Sequence, residues 1–219
     1  MTNELAKRPN FIEAVTAELP EVESKAAVKY CKLLQAMSPE LIDGDEKYNA
    51  DAKSGKYILG DKVFKEASCQ VLQVKRLWKE WSPEGLKGIY ESAEDAAMES
   101  DATSDVKQSL DFMVMFLDGD VKGETGIFSF AMDKYSKAES AELWLSKLKT
   151  ACTKQNAPET AFSWTVGSIM KKGKKGSWHQ TSVALKGWVN DEQYEDAKKI
   201  LEAQSKQLQL EEKAASVNI

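Results

Sequence analysis

Phe162–Trp188 reads FSWTVGSIM, KKGKKG, SWHQTSVALKGW. Trp, Phe, Val, Thr and Ile suit a pleated, half-buried surface, so the two outer segments are expected as strands. Between them the sequence predicts a six-residue turn carrying Lys171, Lys172, Lys174 and Lys175, with Gly173 and Gly176 opening the backbone. No Asp or Glu occurs between Glu159 and Asp191, so this window carries five Lys and a local charge of +5. The net charge is −5, which leaves −10 for the remainder. A cationic turn flanked by Trp164 and Trp178 has the chemistry to neutralise phosphates and stack bases. The bland alternative is a solvated hairpin tip whose lysines serve solubility.

Six Trp and 42% hydrophobic residues in 219 are enough for a packed core, in one domain with extensions or in two small ones. No apolar run is long enough to span a membrane, and the opening MTNELAKRPNFIEAV lacks the apolar centre of a signal peptide. Cys31, Cys69 and Cys152 are widely spaced and odd in number, which argues against a disulfide framework or a paired-cysteine metal site. The expectation is a cytoplasmic protein without membrane association.

Residues 1–24 read as a polar extension, with a short helix in NFIEAVTAEL capped by Asn10 and closed by Pro20. From Ala26 an imperfect alternation of Val28, Tyr30, Lys32 and Leu34 with Lys29, Cys31, Leu33 and Gln35 predicts a strand. Residues 43–56 form a loop, and YILGDKVF a hairpin about Gly60–Asp61. CQVLQVKRLWKEW, residues 69–81, is a long strand with a basic, aromatic end. Lys75, Arg76 and Trp78 there are candidates for a second contact patch; the alternative is a strand end whose indoles plug a core.

Residues 82–109 read as an exposed insertion with a helical turn in SAEDAAMES, since Glu91 to Asp105 holds six acids and no base. LDFMVMFLDG is apolar on both faces and belongs mid-sheet; TGIFSFAMD returns antiparallel. KAESAELWLSKLKTAC is an amphipathic helix with Ala141, Trp144, Leu145, Leu148 and Cys152 on one stripe. After the basic hairpin, residues 190–219 form a C-terminal helix. Asn190 and Gln193 make its capping box, and Tyr194, Ala197, Ile200 or Leu201, and Leu208 its apolar stripe.

This order predicts a mainly β protein with helices (α+β). Residues 25–189 would form an OB-fold-like five-stranded antiparallel barrel, with a helix before the last hairpin and a C-terminal helix. KLLQAMSPEL (32–41), GKYILGDKVF (55–64), VLQVKRLWKEW (71–81) and the FMVMFLDG (112–119) hairpin resemble replication-module proteins of tailed phages. The element order is similar to that of the OB-fold single-stranded-DNA-binding proteins of T7-type phages. That resemblance implies sequence-independent coating of single-stranded DNA in phage replication or recombination, in the host cytoplasm, alongside replication or recombination proteins as partners. Tail-mediated recruitment is not carried over, because LQLEEKAASVNI is only mildly acidic.

The resulting DNA-binding set is Lys171, Lys172, Lys174, Lys175, Trp164, Trp178, His179, Lys75, Arg76 and Trp78. His179, the single histidine, is read either as a phosphate or base contact or as a partly buried structural side chain. No catalytic residue, metal or cofactor is expected. The chain lacks HExxH and GxSxG; the lysine turn lacks the first Gly of a phosphate loop and has Lys175 where Ser or Thr should follow Lys174; DGDVKG puts Lys122 at a calcium-ligand position. The alternatives are a phage accessory or structural protein-interaction module without nucleic-acid binding, and a nuclease using scattered carboxylates such as Asp43 and Asp45. A monomer and a homodimer both fit.

Overall fold

The computed structural model describes residues 7–12, 29–82, 85–101, 104–132, 139–174 and 176–217, with side chains to Lys206. It is mainly β with three α-helices. Three short strands, β1 (Cys31–Leu33), β2 (Tyr57–Leu59) and β3 (Lys62–Phe64), form one antiparallel sheet. The larger sheet holds β4 (Ala67–Ser82), β5 (Gly85–Tyr90), β6 (Asp105–Phe116), β7 (Thr125–Ala131), β8 (Phe162–Gly173) and β9 (Gly176–Trp188). Its order is β7-β6-β4-β8-β9, and β5 also pairs with β4. The helices are α1 (Ala93–Glu99), α2 (Glu139–Gln155) and α3 (Asp191–Val217). Among the described residues no helix is long and apolar enough to cross a membrane.

β6 lies between β4 and β7 and buries its last eight residues, Ser109–Phe116, as its two-sided apolar run requires. One face packs under the small sheet and α2. Cys69, Val71, Phe112, Val114 and Trp164 from the large sheet meet Tyr57 and Leu59 of β2 and Trp144 and Leu148 of α2. Trp144 stacks on Phe112 at 4.3 Å with 4° between the rings. Ile12 and Tyr194 join this core. On the opposite face Ala197 of α3, with Ile200 and Leu201 beside it, covers Leu72, Met113 and Met115. β4 is bulged between Val71 and Gln73, which shifts its alternation so that Val74, and not Gln73, joins Val71 on the first core.

The expected five-stranded barrel is corrected: neither antiparallel sheet closes on itself. Closure would need an edge strand of the large sheet to be paired, and side chains occupy that place. Ser140 Oγ and Lys147 Nζ, both on α2, donate to the β9 carbonyls of Thr181 (2.6 Å) and Val183 (2.9 Å). Such capping protects an edge from pairing with another strand. Tyr30, just before β1, makes an isolated parallel bridge with Ile127 of β7, and Tyr57 of β2 packs edge-on against Phe128.

Two further expectations change. Residues 82–109 are not simply an insertion, because β5 pairs with β4 and β6 begins at Asp105; α1 alone fits the expected helical turn. The basic turn is also shorter than expected. Gly173 pairs with Gly176, so Lys171 and Lys172 are strand residues and lie outside the turn. The proposed helix in NFIEAVTAEL lies mostly outside the described residues. The capping box of α3 is present: Gln193 N–H donates to Asn190 Oδ1 at 2.8 Å, and Asn190 N–H to Gln193 Oε1 at 2.9 Å.

Candidate functional site

β8 pairs with β4 only from Ser163 to Val166, then runs on past the start of β4 with β9 beside it. The two strands therefore project as a ribbon, tipped by Lys171, Lys172 and Lys174; Lys175 lies outside the described residues. Among the described residues no carboxylate stands within 4.0 Å of those three ammonium groups. The fifth lysine of the acid-free window, Lys186, is at the other end of β9, donating to Ser68 Oγ at 2.6 Å and 3.7 Å from Asp118.

Strand alternation divides the ribbon into two faces. On one, Lys171 stands opposite Trp178, and the Trp178 ring lies over Gly173: a Cβ added there would come within 3.0 Å of Cζ3. Ile169, 44% exposed, shares this face. The other face carries Met170 opposite His179 and Lys172 opposite Ser177, and Met170 is 58% exposed. The tip thus combines unneutralised cations with an indole and two exposed aliphatic side chains.

Part of a second segment packs against the ribbon. The loop joining β1 to β2 reaches it through Gly55, whose carbonyl accepts from Ser168 Oγ. The His179 ring lies against the same glycine, which holds φ 86; an added Cβ would sit 2.5 Å from Cε1, so no larger residue fits. From β1's end, Gln35 bonds both backbone groups of His179. Tyr57, starting β2, donates its hydroxyl to Gly167 O at 2.8 Å, 3.0 Å from Thr181 Oγ1. Exposed Lys53 and half-buried Lys56 lie within two residues of this glycine, Lys56 donating to the Asp51 carbonyl at 3.1 Å. Sequence reasoning missed both lysines: they sit in an acid-rich loop, and no local pattern reports which strand a loop folds against.

The expected site residues are not all brought together. Trp164 is 0% exposed and packs 6.3 Å from Trp144, so its ring is core and not a stacking platform. His179 is half-buried, its ring against Gly55 and its Nδ1 sealed from solvent and without a partner among the described residues. Lys75, Arg76 and Trp78 lie on the part of β4 that extends away from the ribbon. Lys75 opposes Asp111 and Arg76 opposes Leu110, so the two cations also point to opposite faces. Lys75 Nζ is 3.9 Å from Glu91 Oε1, Arg76 donates to Gln108 Oε1 at 3.2 Å, and half-buried Trp78 sits between Tyr90 and Gln108. That patch does not join the hairpin lysines in one groove.

Residues 22–209 match the family model described as Pam3 phage gp34-like protein. No curated protein and no solved structure matches the chain.

Proposed function

We propose, for a phage protein that belongs to the Pam3 phage gp34-like protein family, non-enzymatic binding of single-stranded DNA without sequence preference, in phage replication or recombination. The observation that carries this reading is the tip itself: three lysines free of carboxylate partners among the described residues, with Trp178 directly across from Lys171. Lys171, Lys172 and Lys174 contact successive phosphates, and Trp178 offers a base an aromatic surface. Lys53 extends the cationic track along the neighbouring loop.

Fluorescence titration with oligo(dT) against salt tests the proposal. With Lys175 as the fourth contact, the log–log slope is expected near −3, from about −0.7 per phosphate contact. A flat dependence, or unchanged affinity in Lys171→Ala/Lys172→Ala/Lys174→Ala, overturns it.

A second reading is favoured by Ile169 and Met170, whose exposure among the lysines also suits an acidic protein surface with apolar pockets. It predicts no oligonucleotide affinity and specific retention of a partner by the immobilised chain.

A further inference from the structure

We propose that the preferred ligand of the β8–β9 tip is a DNA fork, where a duplex opens into two single strands, and that the ribbon stands between those strands as a wedge. The proposal rests on the single-stranded-DNA reading above and goes beyond it by naming the form of DNA. Lys171 stands opposite Trp178, and Lys172 opposite Ser177. Successive strand residues point to opposite faces, so the ribbon carries one of these cations on each side.

The two faces differ in chemistry. One carries Ile169, Lys171 and Trp178, an aliphatic group, a cation and an indole, which suit the unstacked bases and the backbone of one strand. Its inner limit is the Glu66 carboxylate, which lies beside Gly167 on the same face. The other face carries Met170 and exposed Lys172, a cation without an indole, which suits the phosphates of a second strand. Ser168 and His179 share this second face and meet Gly55, while Gln35 holds the His179 backbone. Three residue pairs, Lys171–Trp178, Lys172–Ser177 and Gly173–Gly176, extend past those contacts. At about 3.3 Å per residue they project roughly 10 Å.

Neither a lone strand nor a closed duplex uses both faces fully. A lone strand laid along the Trp178 face leaves Lys172 turned away, and reaches it only by passing round Lys174 at the apex. A duplex gripped in a groove can meet both lysines, but its stacked base pairs present no free face to the indole. At a fork, one strand sets a base on Trp178 and a phosphate at Lys171, and the other strand sets its phosphates at Lys172. Lys174 then lies nearest the last base pair. The wedge drives no opening; it stabilises one that exists by binding the open form better than the closed one.

Anisotropy titrations of the full chain against four labelled probes test the wedge: a blunt duplex, the same duplex with one dT tail, the same duplex with two dT tails, and an oligo(dT) as long as both tails together. The two-tailed probe is expected to bind at least about fivefold tighter than the one-tailed probe or the oligo(dT). Its log–log salt slope is expected to be steeper than the one-tailed probe's by about 0.7, for one added phosphate contact. Lys172→Ala is expected to bring the two tailed probes within about twofold of each other, whereas Lys171→Ala weakens both in parallel. Equal affinity for the two tailed probes with oligo(dT) still bound overturns the wedge and leaves the single-strand reading standing. A blunt duplex bound as tightly as the fork, or a Lys172→Ala chain that keeps the full preference for two tails, overturns the wedge as well. Failure to bind any of the four probes overturns both readings.

Discussion

Gln35 and His179 are joined by a pair of hydrogen bonds that copies a strand ladder: Gln35 Nε2 donates to the His179 carbonyl and Gln35 Oε1 accepts from its N–H, each at 2.9 Å. One side chain from the end of β1 thus satisfies both outward backbone groups of an edge residue. Gln35→Leu keeps the volume and removes both bonds. Leaving those part-buried groups without partners is expected to cost roughly 1–3 kcal/mol. Gln35→Glu keeps only the acceptor and should fall between the two. Urea unfolding of the three proteins checks this; equal midpoints would show that the clamp contributes nothing.

Glu80 predicts an acid-sensitive contribution to stability. Its carboxylate is buried at the β4–β5 end, where the Ser104 hydroxyl, then the Tyr90 hydroxyl and the Asp101 N–H, hold its pKa down from 4.5 to about 2, against the opposing effect of burial. A folded-state pKa below the unfolded value means that the folded form binds the proton less readily. The contribution is therefore complete above about pH 4.5 and is lost as pH falls towards about 2. Glu80→Gln cannot titrate, so its stability should decline less than that of the wild type across this window. Parallel pH dependences in urea titrations would refute the assignment.

Lys79 and Asp111 form an ion pair beneath the sheet surface, 2% and 5% exposed at the side chain, with Nζ and Oδ2 2.6 Å apart. Ser129 completes it, its hydroxyl 2.8 Å from Lys79 Nζ and 2.7 Å from Asp111 Oδ1, and the Tyr30 ring lies 4.6 Å from the ammonium. Removing one partner strands a charge, so Lys79→Met and Asp111→Leu are each expected to cost about 3–5 kcal/mol. The double replacement removes both charges and should recover most of that loss. A double-mutant cycle by denaturant unfolding measures it, and strictly additive losses would contradict the pairing.

The elements read most directly from sequence are those set by local periodicity. Ala141, Trp144 and Leu148 recur at helical spacing and are all 0% exposed in α2, and Asn190 with Gln193 marks the start of α3. β5 escaped notice because GLKGIY has two glycines and few apolar residues; it is a strand because β4 supplies its partner. The roles of Trp164 and Trp178 depend on hairpin phase, which a six-residue turn leaves open. The observed pairing of Gly173 with Gly176 fixes it, placing Trp178 opposite Lys171 and Trp164 opposite Leu185, on the core side. The meeting of Gly55 with His179 joins positions more than a hundred residues apart, and no local pattern encodes it.

Two tryptophans of the same hairpin should therefore behave oppositely. Trp178 lies on the ribbon's outer face beside Lys171, so Trp178→Ala is expected to weaken oligo(dT) binding by 1–3 kcal/mol, about 5- to 150-fold, with little change in unfolding midpoint. Trp164 is sealed in the core against Trp144, and Val166 follows on the same face. Trp164→Ala is expected to cost about 3–5 kcal/mol of stability. Trp164→Phe keeps much of the packing, so the folded variant should bind with wild-type affinity. DNA-induced quenching of tryptophan emission should persist in Trp164→Phe and shrink in Trp178→Ala. Quenching lost from Trp164→Phe and kept in Trp178→Ala would mean that bases reach the other indole, and the ribbon face carrying Lys171 and Trp178 would no longer be the binding face.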